Sequence, residues 1–122
     1  APVVLLPLAD PQAYVDRYGE PDKARRGLGD DIDAWPAPYW TIDASMSVMT
    51  LLHAAEDQGH GALFFGVFRG EAHLRAALGV PDGLELLGAV ALGHPADHAD
   101  GRGRSANRPR RNPAEIIHRG GW

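Results

Sequence analysis

Apolar residues form blocks along the 122-residue chain, and the spacing within each block predicts a strand or a helix. The first block, residues 1–9, is apolar without alternation, which is typical of a strand buried on both faces. Pro2 and Pro7 cannot donate hydrogen bonds to a neighbouring strand, so we expect them near strand ends or a bulge. Two interpretations stay open: a short strand at a sheet edge, or a central strand whose covering segment precedes residue 1.

Residues 10–40 have little regular pattern. Asp10 and Pro11 suit the start of a helix of two turns that would end near Tyr18. The remainder predicts an irregular segment, but one packed on a surface, because large aromatic side chains favour burial. These aromatic residues are Trp35, Tyr39 and Trp40.

The best-defined predicted element is a helix over residues 44–58, capped by Thr41 or Asp43 and ended by Gly59. Its apolar residues cover most of the circumference, so the sequence predicts a helix buried on several sides. A chain of this size has few elements that could bury it, which indicates a larger assembly or a subunit interface. The residues expected there include Met46, Met49 and Leu52.

A strand, a helix and a second strand are predicted next. The first strand, 61–68, breaks at Gly66, and the helix covers 71–78. The second strand, 84–92, contains Gly88, where another backbone is expected to approach closely.

After the second strand the composition turns polar, and residues 96–107 predict a mobile loop. Arg108, Arg110 and Arg111 then make a candidate anion site, because guanidinium groups bind phosphate through paired hydrogen bonds. A solvated or ion-paired surface is the alternative. The predicted organisation is a strand (1–9), an irregular segment (10–40), a buried helix (41–59), a strand–helix–strand unit (60–95), the mobile loop (96–107) and a basic closing motif with a tail (108–122).

Composition narrows the function classes. The net charge of −4 gives no reason to expect nucleic acid as a partner. The absence of cysteine excludes disulfides, thiolate metal sites and a cysteine nucleophile. No apolar run approaches the roughly 18 residues that a membrane helix needs, and no signal peptide is evident. We therefore expect a soluble, cytoplasmic protein that binds no membrane.

Other candidate chemistry is weaker. His94 and His98 lie four apart, but Pro95 opposes a helical metal pair and no third ligand is evident. His53 and Glu56 lie three apart on the predicted helix, where a polar stripe or a satisfied histidine is favoured over a catalytic pair. The chain also has no nucleophile elbow, dinucleotide-binding glycine motif or P-loop.

Several short motifs follow one another in a fixed order between residues 40 and 122. They are Asp43-Ala-Ser-Met with Leu51-Leu-His-Ala-Ala, Gly59-His-Gly61, Phe64-Phe-Gly-Val-Phe68, Leu78-Gly-Val-Pro81 with Val90-Ala-Leu-Gly-His-Pro95, and Arg110-Arg-Asn-Pro-Ala-Glu-Ile-Ile-His118 with Trp122. In this order they resemble the central helix, the aromatic strand, the Leu-Gly-Ile-Pro and Ala-Leu-Gly-Tyr-Pro motifs and the closing segment of the nitroreductase family. The run from Ala1 to Leu5 also resembles a strand that family members have at mid-chain.

The resemblance implies an α+β fold with a central, mainly antiparallel sheet flanked by helices, present here as the C-terminal half. It also implies an FMN-dependent oxidoreductase, usually an intertwined homodimer, that reduces nitroaromatic, quinone or similar acceptors with NAD(P)H. A deazaflavin is the alternative to FMN. A different class also stays open, in which a nitroreductase-like half without turnover acts as an accessory or ligand-binding module.

Site residues follow from the same resemblance. The backbone N–H groups of the Phe65–Gly66–Val67 bend would face the hydride-accepting ring nitrogen of the flavin. Arg108 and Arg110 would contact its phosphate, and Arg111 is able to substitute for either. The family needs no acid–base side chain, so no catalytic residue is expected.

The match departs from the family in lacking its N-terminal portion, which includes an Arg-Arg-Ser segment at the flavin. We therefore expect the 122 residues alone to aggregate, or to fold only as a tight dimer or with a complementary N-terminal half, and to bind FMN poorly.

Overall fold

The computed structural model describes residues 1–24, 27–95 and 107–121. The regular elements within these ranges, in chain order, are β1 (Val3–Leu5), β2 (Leu8–Ala9), α1 (Pro11–Gly19), α2 (Tyr39–Asp57), β3 (Gly61–Phe65), α3 (Glu71–Leu78), β4 (Glu85–Leu86) and β5 (Ala89–Gly93).

Strand β5 lies at the centre of a three-stranded sheet with the order β1-β5-β3. Both of its neighbours are antiparallel to it, and β2 pairs antiparallel with β4 in a second, smaller sheet. Ala89 and Val90 of β5 are almost fully buried, because a central strand is covered along both edges and also packs beneath the helix layer. Helices combined with an antiparallel sheet agree with the expected α+β class.

The first strand is an edge strand. β1 pairs with β5 along one side only, and its residues Val3 and Val4 are 46% and 56% exposed. Within the described chain β1 is therefore an edge strand, and the interpretation as a central strand covered by a segment before residue 1 stays a prediction. Pro2 and Pro7 flank β1, as their missing N–H groups require.

The long helix begins earlier than the sequence indicated. α2 starts at Tyr39 after Pro38, which makes no side-chain capping hydrogen bond. Neither predicted cap acts as one. The Thr41 hydroxyl donates to the Glu85 carboxylate at 2.7 Å, and the Asp43 carboxylate accepts from the Tyr14 phenol at 2.5 Å. Both side chains join α2 to other elements, so the capping prediction is wrong.

Burial of α2 is one-sided. Trp40 and Ala55 are buried, Leu52 is half-buried, and Met46 and Met49 are 62% and 54% exposed. The small sheets of the described chain reach one side of the helix only, so burial of its other sides by an assembly stays a prediction. The exposed side keeps the apolar residues that indicated a subunit interface.

The apolar block 84–92 forms two strands instead of one. β4 ends at Leu86 and β5 begins at Ala89, because the Leu87 amide donates to the Pro7 carbonyl at 3.1 Å and Gly88 has a positive φ of 146°. The chain changes from the small sheet to the central sheet at this point.

The segment between α1 and α2 packs around Trp35. The Trp35 indole N–H donates to the Leu28 carbonyl at 2.8 Å, and the ring lies edge-on to Tyr18, with 4.7 Å between centroids. Tyr14 and Trp40 lie 5.6 and 6.1 Å from the same ring. The irregular segment is thus packed through its aromatic residues, as their number indicated.

The hydrogen bond between α1 and α2 supports a first prediction. The Asp43 carboxylate accepts the Tyr14 phenol proton, and this bond, with a smaller contribution from burial, raises the pKa of Tyr14 from 10.0 to about 12. Tyr14→Phe is expected to lower the free energy of unfolding by about 1 kcal/mol, which is below the roughly 1.5–3 kcal/mol of a hydrogen bond to a charged group because the site is partly solvated. Since the folded-state pKa is raised, this contribution is complete below pH 10 and is lost as the pH rises through 12.

Urea unfolding at pH 8 and at pH 11.5 measures the difference in stability between the unmodified protein and Tyr14→Phe. The first pH lies below the range in which Tyr14 ionises, and the second lies roughly at the upper end of that range. Tyr39→Phe is the matched control, because the Tyr39 hydroxyl makes no hydrogen bond within the described residues. A stability difference for Tyr14→Phe that is the same at both pH values would contradict the prediction.

Candidate functional site

The predicted bend follows the last residue of β3. Pairing with β5 stops at Phe65, opposite Ala89, and the chain leaves the sheet through Gly66 and Val67. Both of these residues are half-buried, and within the described ranges neither amide donates a hydrogen bond to the protein. An amide that has no acceptor in the protein is free to donate to water or to a bound ligand. The bend therefore offers two adjacent donors to a ligand.

Gly88 permits the backbone at the start of this bend to approach closely. A Cβ atom at Gly88 would lie 2.6 Å from the Phe65 carbonyl oxygen and 3.0 Å from the Phe64 ring. Only a residue without a side chain permits the two backbones to come this close, and its φ of 146° also requires glycine. The predicted close approach at Gly88 is confirmed, and the backbone that approaches belongs to the candidate site.

An apolar groove with a volume of about 480 Å³ runs between α2 and β3. Phe64, Leu86 and Leu87 form the wall opposite α2, and Phe65, Gly66 and Val67 do not line the groove. This volume lies within the range of small-molecule sites. The complete lining is Thr41, Ser45, Val48, Met49, Leu52, Phe64, Leu86 and Leu87.

The three candidate arginines are all exposed on the segment 107–121. Arg111 is engaged within this segment: its guanidinium donates to the Glu115 carbonyl at 3.2 Å and lies 3.9 Å from the Glu115 carboxylate. Arg108 and Arg110 form no ion pair with any residue that the structure describes. The structure thus distinguishes these two arginines, which remain available to an anion, from Arg111.

The bend and the arginines belong to separate described ranges. Residues 96–106, which carry most of the predicted mobile loop, lie outside the described residues. Between the parts that are described, no hydrogen bond or ion pair connects Gly66 or Val67 with Arg108 or Arg110. The structure brings together Phe65, Gly66 and Gly88, and the arginines are assigned to the same site by the resemblance alone.

The serines of α2 have their hydroxyls bonded within the helix. Ser45 donates to the Thr41 carbonyl at 2.7 Å and Ser47 to the Asp43 carbonyl at 3.1 Å. This local bond competes with activation by a base, so neither hydroxyl is placed to act as a nucleophile.

The histidines form no metal site in the described part of the chain. The rings of His60 and His94 lie 5.6 Å apart at the end of the central sheet, and His53 and Glu56 line a cleft beside His60. Within the described ranges, no three of these or other acidic and histidine residues converge closely enough to hold an ion. His98 lies outside those ranges.

Sequence comparison identifies the family. The model of the nitroreductase family matches residues 1–94, so the chain belongs to the nitroreductase family. The matched range contains the bend and Gly88 but not the three arginines.

Curated relatives are similar over the same region. A protein of Archaeoglobus fulgidus, named an NADH dehydrogenase/NAD(P)H nitroreductase, is 31% identical over 94 residues, which cover 75% of this chain and 52% of that protein. An NADPH-dependent oxidoreductase of Staphylococcus epidermidis is 32% identical over 80 residues, or 65% of this chain and 30% of that protein. A Staphylococcus aureus protein of the same name is 33% identical over 78 residues, or 63% of this chain and 30% of that protein.

The chain thus spans about half or less of the length of these relatives. No solved structure matches it significantly. Among the helices of the described ranges, none combines the length and the apolar character needed to cross a membrane.

Proposed function

We propose that this chain is part of a flavin-dependent oxidoreductase of the nitroreductase type, which binds FMN and reduces nitroaromatic, quinone or similar acceptors with NAD(P)H. The observation that carries the proposal is the bend at Gly66 and Val67. It offers two amide donors without a protein acceptor among the described residues, inside the range that matches the family.

The residues at the bend fit a flavin in their chemistry. When bound, FMN would supply the hydride-accepting ring, and the chain would supply its surroundings. The amides of Gly66 and Val67 would donate hydrogen bonds to a ring nitrogen, and Gly88 would leave room for the Phe65 carbonyl beside them. The neighbouring groove is apolar, which suits a planar ring and limits access of water. No side chain of the chain is assigned a proton-transfer role.

Arg108 and Arg110 would hold the phosphate in the proposed complex. Their guanidinium groups are exposed and have no ion-pair partner among the described residues, so no existing interaction has to be broken. Arg111 would have to leave Glu115 first, which makes it the weaker candidate.

We also propose that another protein surface covers the exposed side of α2, either a second copy of the chain or a complementary N-terminal half. Met46 and Met49, one helical turn apart, are each more than half exposed. Large apolar side chains grouped in this way are typical of surfaces that are buried in an assembly.

Flavin binding tests the proposed function directly. The whole protein that contains these 122 residues should be yellow as purified, or take up FMN when titrated, with the complex sedimenting as an assembly larger than one chain. Riboflavin, which lacks the phosphate, should also bind but more weakly, because it retains only the contacts at the bend and groove. NAD(P)H should bleach the visible absorbance of the complex.

Two negative results of this experiment would lead to different conclusions about the function. A protein that binds neither FMN nor a deazaflavin at millimolar concentration would contradict the proposal. A protein that binds FMN without being reduced by NADH or NADPH would support the accessory-module alternative instead.

A further inference from the structure

A second pocket lies where the segment after α1 folds against the first turn of α2. Its volume is about 440 Å³, and it shares no lining residue with the groove or the bend. Concave sites of this size bind small molecules when a few polar groups face an apolar wall. The lining residues are Tyr18, Lys23, Leu28, Trp35, Pro36 and Tyr39.

The aromatic walls of this pocket are held in place by contacts among themselves and with the backbone. The Trp35 indole N–H donates to the Leu28 carbonyl at 2.8 Å, which fixes the plane of the indole ring. Tyr18 contacts the indole ring edge-on, and Tyr39 lies tilted against it with 5.9 Å between centroids. An organised wall of three aromatic rings favours a planar ligand, because little side-chain freedom is lost on binding.

Lys23 is the single charged residue of the lining, among the residues that the structure describes. Its ammonium group lies 5.4 Å from the centre of the Tyr18 ring and forms no ion pair within the described ranges. The nearest acidic side chains in sequence are occupied by Arg17, which contacts Glu20 at 3.0 Å and Asp22 at 2.7 Å. The pocket therefore combines apolar aromatic walls with one cation that forms no ion pair with a described residue, while the Asp22 carboxylate, which is bound by Arg17, interacts with it electrostatically.

We propose that this pocket binds a planar aromatic anion, such as an aryl carboxylate, separately from the flavin site. The aromatic part of the ligand would stack within the walls, and its anionic group would contact Lys23. The alternative of a cationic ligand is disfavoured, because the Lys23 ammonium already lies over Tyr18 and would repel it.

The test uses the fact that Lys23 is the only lysine among the 122 residues. Reductive methylation with ¹³C-formaldehyde keeps its charge and gives a lysine resonance that is assigned by its absence in Lys23→Arg. Four probes are titrated: 2-naphthoate, neutral 2-naphthalenemethanol, cyclohexanecarboxylate and cationic 2-naphthylmethylammonium. We expect 2-naphthoate alone to shift the Lys23 resonance saturably.

Variants connect the binding to the proposed residues. Lys23→Met should weaken 2-naphthoate binding by about tenfold, as measured by equilibrium dialysis. This effect is in the lower range of what is expected for the loss of one charged contact, because the site is partly solvated. Lys23→Arg should retain most of the affinity, and Tyr39→Leu should weaken it while keeping an apolar residue at an exposed position. Arg119→Met removes an exposed cation elsewhere and should have no effect.

Three results would overturn the proposal. The first is tighter binding of the cationic probe than of 2-naphthoate. The second is no saturable binding of 2-naphthoate to a protein that is folded by circular dichroism. The third is competitive displacement of 2-naphthoate by FMN, which would place the probe in the flavin site. Failure of FMN to bind would leave this pocket unaffected, so the two proposals can fail separately.

Discussion

Gly88→Ala is expected to lower the free energy of unfolding by about 2–4 kcal/mol, and to impair flavin binding in the protein that remains folded. Two effects add at this position. A φ of 146° is a conformation that residues with a side chain rarely adopt, and a Cβ would lie 2.6 Å from the Phe65 carbonyl oxygen. Neither effect can be relieved by rotating a side chain, because both arise in the backbone. The strand ends must therefore separate at the bend.

Two other glycines are matched controls for the two effects. Gly83 has a φ of 87°, and a Cβ added there would have no other atom within 4 Å, so Gly83→Ala introduces the backbone strain without the clash. For Gly66→Ala the nearest atoms would belong to the Phe68 ring, a side chain that is 94% exposed and able to move. Chemical denaturation should show a larger loss for Gly88→Ala than for either control. Equal losses for Gly88→Ala and Gly83→Ala would show that the contact with Phe65 does not matter.

Glycines at the ends of helices and strands made part of the fold predictable. The helix α3 occupies Glu71–Leu78 as predicted, because Gly70 and Gly79 on either side adopt the left-handed conformation that ends a helix. The break after β3 was likewise indicated by Gly66. These features depend on a few neighbouring residues, and the sequence displays those neighbours directly.

Features that depend on distant residues were not predictable in this way. Thr41 and Asp43 suit a helix cap by residue type, but the fold places Glu85 and Tyr14 within reach of them, so their hydrogen bonds go there. The apolar circumference of α2 indicated burial on several sides, and the described chain covers one. A one-dimensional pattern shows which residues favour burial, and it does not show what lies against them.

In the candidate site, too, features set by neighbouring residues were predictable and features set by distant residues were not. Gly88 was expected to permit a close backbone approach, yet nothing in its surroundings indicated that the partner would be Phe65, 23 positions earlier in the chain. The aromatic pocket was not predicted, because its residues are spread over an irregular segment without periodicity. A lysine placed between aromatic residues on such a segment is the one signal that the sequence offers for it.

The largest expected effect on binding concerns the arginines. Replacing both Arg108 and Arg110 with alanine should weaken FMN binding by about 2–5 kcal/mol, taking roughly 1.5–3 kcal/mol for each charge-assisted contact and incomplete additivity. The reason is that both guanidinium groups lack ion pairs in the described structure and are able to bind phosphate through paired hydrogen bonds. Riboflavin affinity should stay unchanged, since riboflavin has no phosphate. Fluorescence titration of both flavins, with the protein that contains these 122 residues, measures the two affinities.

Two variants on the same segment separate specific contacts from general charge. Arg119→Ala removes an exposed cation outside the proposed phosphate contact and should weaken FMN binding little at physiological salt, where distant surface charges are screened. The double replacement Arg108→Lys with Arg110→Lys keeps both charges but loses the planar paired geometry, so it should recover only part of the affinity. An FMN affinity that the double alanine variant leaves unchanged would remove Arg108 and Arg110 from the site. Equal losses of FMN and riboflavin would instead show that the arginines act on the fold.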